Sequence, residues 1–311
     1  MSKYYKCLPF KAKRKARVFN MKSPPKRRLG DRPDGRRLRS LDPLFCVAPY
    51  IMKNRSGSSN FFSGSININQ ADKYIREKRR ENMPGLGMLH FFIATYIRTV
   101  SQKPALNRFI SGQKIYARHD IEVNLTVKKE LTVAGQETAV KVRFEHTDTI
   151  YDVYKKIQAV VAEAKKKGDS NSFDRAARLF RLIPGLVLKF VVFLLEIMDY
   201  FGVLPRALLN VSPFHGSIFI SDLGSVGLPS VNHHLYDFGN IPIFLCFGVK
   251  SRKSSNKTED NLSRFIDFTI TIDERICDGF YFSGVLRLVQ KIFNNPNMLD
   301  HLPETVVLDV D

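Results

Sequence analysis

Two short stretches carry residues whose types and spacing suit acid–base chemistry. The first is FISDLGSVG, in which Ser221 lies on an apolar strand that enters a glycine turn. The second is IDERICDG, in which Glu274 ends a strand four positions ahead of Asp278 and just before Gly279 begins a helix. Burial disfavours a charged carboxylate, so a buried Glu274 has a raised pKa and can act as a general base. At its ordinary pKa of about 4.3, a carboxylate is a poor base for a thiol, whose pKa is about 8.5.

Alternation along the preceding strand predicts where Glu274 points. Glu274 is separated by an even number of positions from four apolar residues of the strand, Ile266, Phe268, Ile270 and Ile272. Side chains spaced in this way point to the same face, so we expect Glu274 on the buried side of the sheet. Two roles stay open: Glu274 is the catalytic base, or it pairs with a cation such as Arg275 and only shapes the loop.

A second source of a base is the histidine pair in HHLYDFG. His233 and His234 lie between the serine strand and the next strand, so either ring could reach the same site. The alternative is that both are surface or interface residues. His119 and His215 have no partner pattern in the sequence, and we interpret them as structural.

Periodicity predicts the elements that position these residues. Alternation of apolar and polar residues predicts strands over 61–68, 121–127, 140–144, 217–221, 241–248 and 265–273. Apolar residues at helical spacing predict helices over 71–80, 88–100, 150–164 and from 280 onward. We expect Thr149 and Asp152 to cap the third helix, and a turn near Ala134 and Gly135 to join the second and third strands. The pattern indicates an α/β domain of the α+β, two-layer type, with a mostly antiparallel or mixed sheet and helices on one face.

The most apolar segment of the chain covers residues 179–209. Lys189, Glu196 and Asp199 interrupt it, and at about 100° per residue they fall on one side of a helix. A membrane span would bury all three charges, which is costly. We therefore expect an amphipathic helix that packs within the protein or an oligomer, or that lies on a bilayer surface.

The charge of the chain is concentrated near its N-terminus. The 311 residues carry 49 Lys and Arg against 30 Asp and Glu, a net charge of +19, and residues 1–40 hold fifteen of these cations against two aspartates. We interpret residues 1–40 as a solvated flexible arm, with contact to nucleic acid or an anionic membrane as the alternative. We expect residues 41–311 to form the folded domain. The four scattered cysteines indicate reduced thiols and neither disulfides nor a metal site, so we expect a cytoplasmic protein, with peripheral membrane association as the alternative.

The two chemical stretches together resemble the catalytic domain of 2-oxoacid dehydrogenase acyltransferases, in the chloramphenicol acetyltransferase-like superfamily. That family ends a strand with D-H-R-x-x-D/N-G, preceded about fifty residues earlier by an I-S-N-L-G-like strand, and here Ser221 precedes Glu274 by 53 positions. KPALN at 103–107 and IFLCFG at 243–248 resemble two further family segments. The resemblance spans about residues 41–300.

The resemblance implies a homotrimer that binds an acyl-CoA or similar thioester as substrate, with active sites between subunits. A histidine is the family's general base, and a serine or threonine hydroxyl from the neighbouring subunit hydrogen-bonds the oxyanion. Ser221 matches that hydroxyl, and Asp278 and Gly279 match the structural end of the motif. Nothing in the sequence resembles a lipoyl attachment site, so we expect a stand-alone domain.

The family's histidine is replaced by Glu274. This departure leaves two functions open. The first is an acyltransferase that uses a thiol, hydroxyl or amine acceptor, and the second is a catalytically silent homologue that serves as a trimeric binding or assembly module. Arg108, Lys114 and Arg118 are candidates to line a coenzyme A channel, since that molecule carries phosphates.

Overall fold

Nine strands form two sheets in this computed structural model, which describes residues 27–128, 137–166, 183–254 and 262–311. In chain order the strands are β1 (Gly35–Arg37), β2 (Ser59–Asn67), β3 (Arg108–Ser111), β4 (Lys114–Arg118), β5 (Ile121–Lys128), β6 (Glu137–Phe144), β7 (Ile218–Asp222), β8 (Ile243–Ser254) and β9 (Leu262–Asp273). The larger sheet has the order β2-β9-β8-β7-β5-β6, and the smaller has the order β1-β4-β3.

Seven α-helices lie in the described ranges. They are α1 (Pro43–Ile51), α2 (Asn69–Glu81), α3 (Met88–Gln102), α4 (Ile150–Lys166), α5 (Gly185–Tyr200), α6 (Arg206–Val211) and α7 (Gly279–Asn294). All the strands and helices predicted from periodicity are present. The predicted cap of α4 is present too, because Asp152 accepts hydrogen bonds from the backbone and the hydroxyl of Thr149. The predicted turn near residues 134 and 135 lies outside the described residues.

The larger sheet is mixed, as the sequence indicates. β2, β9 and β8 pair antiparallel, as do β5 and β6, whereas β7 pairs parallel with both β5 and β8. β7 therefore lies inside the sheet with a partner on each side, which is the usual environment of a parallel strand.

Helices cover one face of this sheet, which makes the molecule a two-layer sandwich. Ile218 and Ile220 on β7 and Ile272 on β9 belong to one buried cluster with the apolar residues of α3 and α7. The ring of Phe92 on α3 stacks on Phe247 of β8 with 4.4 Å between ring centroids. Burying one such side chain contributes about 1.5–3 kcal/mol, so this layer contact stabilises the fold.

Residues 27–40 belong to the folded domain, so the predicted boundary of the arm at residue 40 is too late. β1 pairs antiparallel with β4, and the side chain of Arg32 is among the most buried in the molecule. Burial of a guanidinium requires fixed anionic partners, which the sequence pattern of a basic arm does not reveal. Residues 1–26 lie outside the described residues, and their interpretation as an arm stays a prediction.

The apolar segment forms α5 and α6. Pro184 precedes α5, and Gly202 follows it in the left-handed conformation with φ of 70°. None of the side chains of α5 is buried. In the described parts of the chain, no helix has both the length and the apolar character to cross a membrane.

Candidate active site

The turn after β9 is built on a buried ion pair. Asp273 is fully buried, and its two carboxylate oxygens accept hydrogen bonds from Nε and Nη2 of Arg275, each at 2.7 Å. The third guanidinium nitrogen donates to the backbone carbonyl of Met52 at 2.7 Å. Because Asp273 and Arg275 lie two positions apart, their pairing fixes the backbone on both sides of Glu274.

Glu274 itself is held by its backbone and leaves its carboxylate accessible. Its amide N–H donates to the carbonyl of Ser58 at 2.9 Å, and its Oε2 accepts a hydrogen bond from Nδ2 of Asn60 at 2.9 Å. The residue is half-buried, so the expectation of a fully buried carboxylate is not met. The suggested pairing with Arg275 is wrong, because that guanidinium is bound to Asp273.

Asp278 organises the start of the helix that follows. Its carboxylate accepts a hydrogen bond from the amide of Tyr281 at 2.6 Å and so caps α7, which begins at Gly279. An N-cap aspartate accepts a hydrogen bond from a backbone amide that has no partner within the helix, and its negative charge is stabilised by the positive end of the helix dipole. Between the two features lies Cys277, and burial raises the pKa of its thiol to about 12, so it is not a nucleophile at neutral pH.

Ser221 lies on the face of the sheet opposite the helices. In the strand register it is paired with Cys246 of β8, which is paired with Thr269 of β9. These three residues alternate with Ile220, Leu245 and other members of the core, so they form a polar row on the outer face. Ser221 is half-buried, and burial raises the pKa of the Cys246 thiol to about 11.

The histidine pair lies on the same outer face. The carbonyl of His233 accepts a hydrogen bond from the hydroxyl of Thr271 at 2.5 Å, and its ring stacks on Phe244 with 3.8 Å between centroids. Burial lowers the pKa of His233, which keeps its ring neutral at pH 7. His234 is exposed and stacks on the outer side of His233. Phe244 lies two residues before Cys246 on β8, so its row of side chains is about 7 Å from the row that contains Ser221. His233, which stacks on Phe244, therefore lies one row away from Ser221.

Within one chain, Ser221 and Glu274 are not brought together. Ser221 lies in the row of Thr269, whereas Glu274 follows Asp273 at the end of the same strand. At about 3.3 Å per residue, Asp273 alone is about 13 Å further along β9 than Thr269. A hydroxyl and a carboxylate that act on one substrate atom must lie much closer than this, so one chain does not form a complete site.

Two of the three candidate coenzyme A ligands are engaged within the domain. Arg108 makes two hydrogen bonds of 2.6 Å to the carboxylate of Asp309 and is buried. Arg118 is buried and donates to Oδ1 of Asn240 at 2.7 Å. The interpretation of Arg108 as a channel residue is therefore wrong, because its guanidinium is bound by Asp309, whereas the same interpretation of Arg118 stays a prediction. Lys114 is half-buried on β4.

Sequence reasoning missed the residues that support the site. Arg55 is buried, and its guanidinium donates to the backbone carbonyls of Tyr236 and Gly239 at 2.7 Å each. It thereby ties the start of β2 to the end of the histidine segment, and its Nε lies 3.9 Å from Asp273. An arginine far from its partners in sequence carries no local signal of such a role.

No family model matches this sequence, and no curated protein is significantly similar to it in sequence. Solved structures, in contrast, do match. A probable dihydrolipoamide acetyltransferase from Listeria monocytogenes has a TM-score of 0.53 and 14% identity, over 84% of this chain and 95% of that one. A structure described as chloramphenicol acetyltransferase has a TM-score of 0.50 and 11% identity, over 78% of this chain and 92% of that one. This chain has the chloramphenicol acetyltransferase-like fold.

A third match with the chloramphenicol acetyltransferase-like fold is a dihydrolipoamide acetyltransferase from Azotobacter vinelandii. It has a TM-score of 0.54 and 10% identity, over 78% of this chain and 83% of that one. That structure is described as an investigation of a serine, a histidine and an asparagine in the catalytic mechanism, and the asparagine follows the histidine by four positions. Identities of 10–14% establish the fold that is shared and leave the chemistry to be argued from this chain.

Proposed function

We propose that this protein is an acyltransferase that moves an acyl group from coenzyme A, or a similar thioester, to a thiol, hydroxyl or amine acceptor. The observation that carries the proposal is the geometry at Glu274. Its backbone is held between Asp273 and Arg275, while its carboxylate stays accessible and bonds to the neutral amide of Asn60. A carboxylate that served only to balance a charge would contact a cation instead.

The residue order adds support. The acetyltransferase from Azotobacter vinelandii is described with a serine, a histidine and an asparagine in its mechanism, the last two separated by four positions. Ser221, Glu274 and Asp278 stand in the same order here, with four positions between Glu274 and Asp278. We assign the same places in the site to these residues, with Glu274 in place of the histidine.

The proposed reaction assigns one role to each residue. Glu274 takes the proton from the acceptor, whose sulfur, oxygen or nitrogen attacks the thioester carbonyl carbon. Ser221 donates a hydrogen bond to the oxyanion of the tetrahedral intermediate. As that intermediate collapses, the carbon–sulfur bond breaks, and the departing coenzyme A thiolate receives the proton held by Glu274. Asp278 keeps the helix start in place and takes no part in the proton transfer.

The separation of Ser221 and Glu274 within one chain requires a second copy. In our proposal, Glu274 of one subunit and Ser221 of its neighbour meet at the subunit interface of a homotrimer, the assembly implied by the family resemblance. A heterologous interface of this kind closes into a ring when three copies are related by a threefold axis.

His233 is the second candidate for the base. Its ring is neutral and lies one row from Ser221 in the same chain, but its Nδ1 lies 2.7 Å from the carbonyl oxygen of His234. If that nitrogen carries the proton, Nε2 is left as the basic atom. The replacement of the family's histidine also favours a second function, a catalytically silent trimeric module, which would keep the fold without turnover.

The test follows the release of free coenzyme A from a panel of acyl-CoAs and small acceptors. We expect acceptor-dependent turnover in the wild-type protein and a loss of at least about 100-fold in both Glu274→Gln and Ser221→Ala. Glu274→His should keep activity, because imidazole is the family's base, and Glu304→Gln at an exposed site is the matched control.

Two results would change the account. Turnover that survives in Glu274→Gln but is lost in His233→Gln would transfer the role of base to His233. Absence of turnover across the panel, from a folded oligomer, would contradict the acyltransferase and leave the silent module.

A further inference from the structure

An apolar cavity between the helices and the larger sheet has the features of a binding site for a small molecule. It has a volume of about 70 Å³ and lies between α3, α7 and the face of the sheet that the helices cover. No charged residue is among the described residues that line it. The cavity reaches the surface at one side, where its lining residues are half-buried: Phe268, Ile270, Leu286 and Val289. A ligand can therefore enter from solvent into an apolar enclosure.

Two aromatic side chains that line the cavity are held by contacts with β2. The ring of Phe282 lies 4.6 Å, between centroids, from the ring of Phe62. The ring of Phe268 lies over Gly64, where a Cβ would be 2.8 Å from its Cζ. Because β2 fixes both rings, they form walls of the cavity and do not collapse into it. The cavity is thus formed before a ligand binds, as most small-molecule sites are.

One hydroxyl in the wall of the cavity has no partner. The side chain of Thr95 is 2% exposed, and its hydroxyl makes no hydrogen bond within the described part of the chain. The two other hydroxyls of the lining are bonded, that of Tyr96 to the carbonyl of Ser217 at 3.3 Å and that of Thr99 to the carbonyl of Thr95 at 2.7 Å. A buried polar group without a partner is costly and uncommon. An oxygen atom on a ligand in the cavity would supply the missing partner.

Size and polarity define the class of ligand. An apolar cavity of about 150 Å³ holds one benzene molecule, so a cavity of about 70 Å³ has room for about three or four non-hydrogen atoms. A charged ligand would lose its hydration without meeting an opposite charge in these walls, so the ligand is neutral. We propose that this cavity binds a short aliphatic ketone or alcohol, whose oxygen forms a hydrogen bond with the hydroxyl of Thr95.

This proposal does not depend on acyl transfer. Ile218 and Ile270, which line the cavity, belong to the face of the sheet under the helices, whereas Ser221 lies on the opposite face. Glu274 lies four residues beyond Ile270, a distance of about 13 Å at about 3.3 Å per residue. Binding to the cavity is therefore measured without any acyl donor.

The test uses two small molecules that differ in their ability to form hydrogen bonds. Propanone matches the proposed ligand in size and carries one oxygen, whereas xenon occupies apolar cavities without hydrogen bonding. Each is titrated into the full-length protein while the isoleucine methyl signals are followed by NMR. We expect saturable shifts at Ile218, Ile243 and Ile270, which line the cavity, and none at Ile157 on α4.

Thr95→Val separates the two interactions, because valine keeps the shape of threonine and lacks the hydroxyl. We expect propanone to bind this variant about tenfold more weakly, since its oxygen is then buried without a partner, and xenon to bind within about twofold of the wild type. Thr99→Val is the matched control and should bind both molecules like the wild type, because the Thr99 hydroxyl is already bonded to the backbone.

A second pair of variants on α7 tests the location. Val285 is buried and lines the cavity, so Val285→Phe should fill the space and abolish the binding of both molecules. Leu288→Phe enlarges a half-buried residue of the same helix outside the lining and should leave binding unchanged. Circular dichroism shows which variants are folded, and Thr95→Val carries the test if Val285→Phe is not.

Three results would overturn the proposal. The first is that wild-type protein shows no saturable binding of propanone. The second is that propanone binds Thr95→Val as tightly as the wild type, which would reduce the cavity to an apolar space without a specific partner. The third is that a folded Val285→Phe variant keeps its affinity for propanone, which would place the bound molecule elsewhere.

Discussion

At the scale of single residues, the site depends on how three neighbours divide their roles. Asp273 and Arg275 point inward and pair with each other, and the residue between them is thereby directed to the surface. This arrangement presents Glu274 just beyond the end of β9 without an ionic partner in the contacts described for it. A carboxylate in this position becomes a better base when an acceptor and a second subunit exclude water from it, because desolvation disfavours its charged form.

The buried side chain of His90 makes the stability of the fold depend on pH. Its Nδ1 accepts a hydrogen bond from the amide of Gly87 at the start of α3, and burial lowers its pKa to about 4. The unfolded chain, with a histidine pKa near 6.5, binds the proton first, so the free energy of unfolding falls as the pH drops below 6.5. We expect this one residue to account for a loss of about 3 kcal/mol by pH 4.

The measurement is urea denaturation at several pH values for the wild type and His90→Gln. Glutamine at this position can keep the capping hydrogen bond without titrating. We expect the variant to lose less stability than the wild type between pH 6.5 and pH 4. Parallel pH curves for the two proteins would show that His90 is not the group responsible.

The residue-level predictions from sequence succeed where the signal is local. Glu274 at the strand end and Asp278 as a helix cap follow from alternation and from the Asp-Gly pair. The partner of Arg275 was assigned incorrectly, because adjacency in sequence suggested Glu274, whereas the turn after β9 folds the guanidinium back onto Asp273. His215 had no visible partner in the sequence, since Asp199 and Arg32 join it only through the fold.

At the scale of elements, α3 is the helix on which the sheet packs, and its packing is incomplete. An apolar cavity of about 70 Å³ lies between α3, α7 and the sheet, and Thr95 is among the residues that line it. The Thr95 hydroxyl is buried and has no hydrogen-bond partner among the described residues. A buried hydroxyl without a partner costs free energy that an apolar group of the same shape would not.

We therefore expect Thr95→Val to stabilise the protein by about 1 kcal/mol. Thr99, one turn further along α3, is the matched control, because its hydroxyl donates to the carbonyl of Thr95 at 2.7 Å. Thr99→Val should leave the stability unchanged or lower it. Thermal unfolding of both variants provides the comparison, and a lower melting temperature for Thr95→Val would contradict the prediction.

Periodicity predicts the elements of this chain well, because most of them bury one face. The alternation in 265–273 and the helical spacing in 88–100 correspond to β9 and α3. β1 was not predicted, since a three-residue strand among arginines has no periodic signal. Which side of α5 faces the domain also cannot be predicted from the sequence, because it depends on the ion pair between Asp199 and Arg32, which lie far apart in the chain.

At the scale of the whole molecule, the order of a few weak sequence motifs is enough to predict the fold. The mixed sheet with helices on one face matches the fold implied by the resemblance, and the structural matches share it. The homotrimer and any contact between nucleic acid and residues 1–40 stay predictions, because they depend on partners that one chain does not contain. The cytoplasmic location also stays a prediction. The distance between Ser221 and Glu274 makes the assembly the decisive question for function.

Mixing two inactive variants tests this central claim most directly. Glu274→Gln and Ser221→Ala are each inactive alone in our account, and they are dissociated, mixed in equal amounts and reassembled. In a trimer with shared sites, about a quarter of the interfaces then pair a wild-type Glu274 with a wild-type Ser221 from the neighbouring chain. The account predicts recovery of about a quarter of wild-type coenzyme A release. No recovery in the mixture, from wild-type protein that regains full activity after the same treatment, would contradict a site shared between subunits.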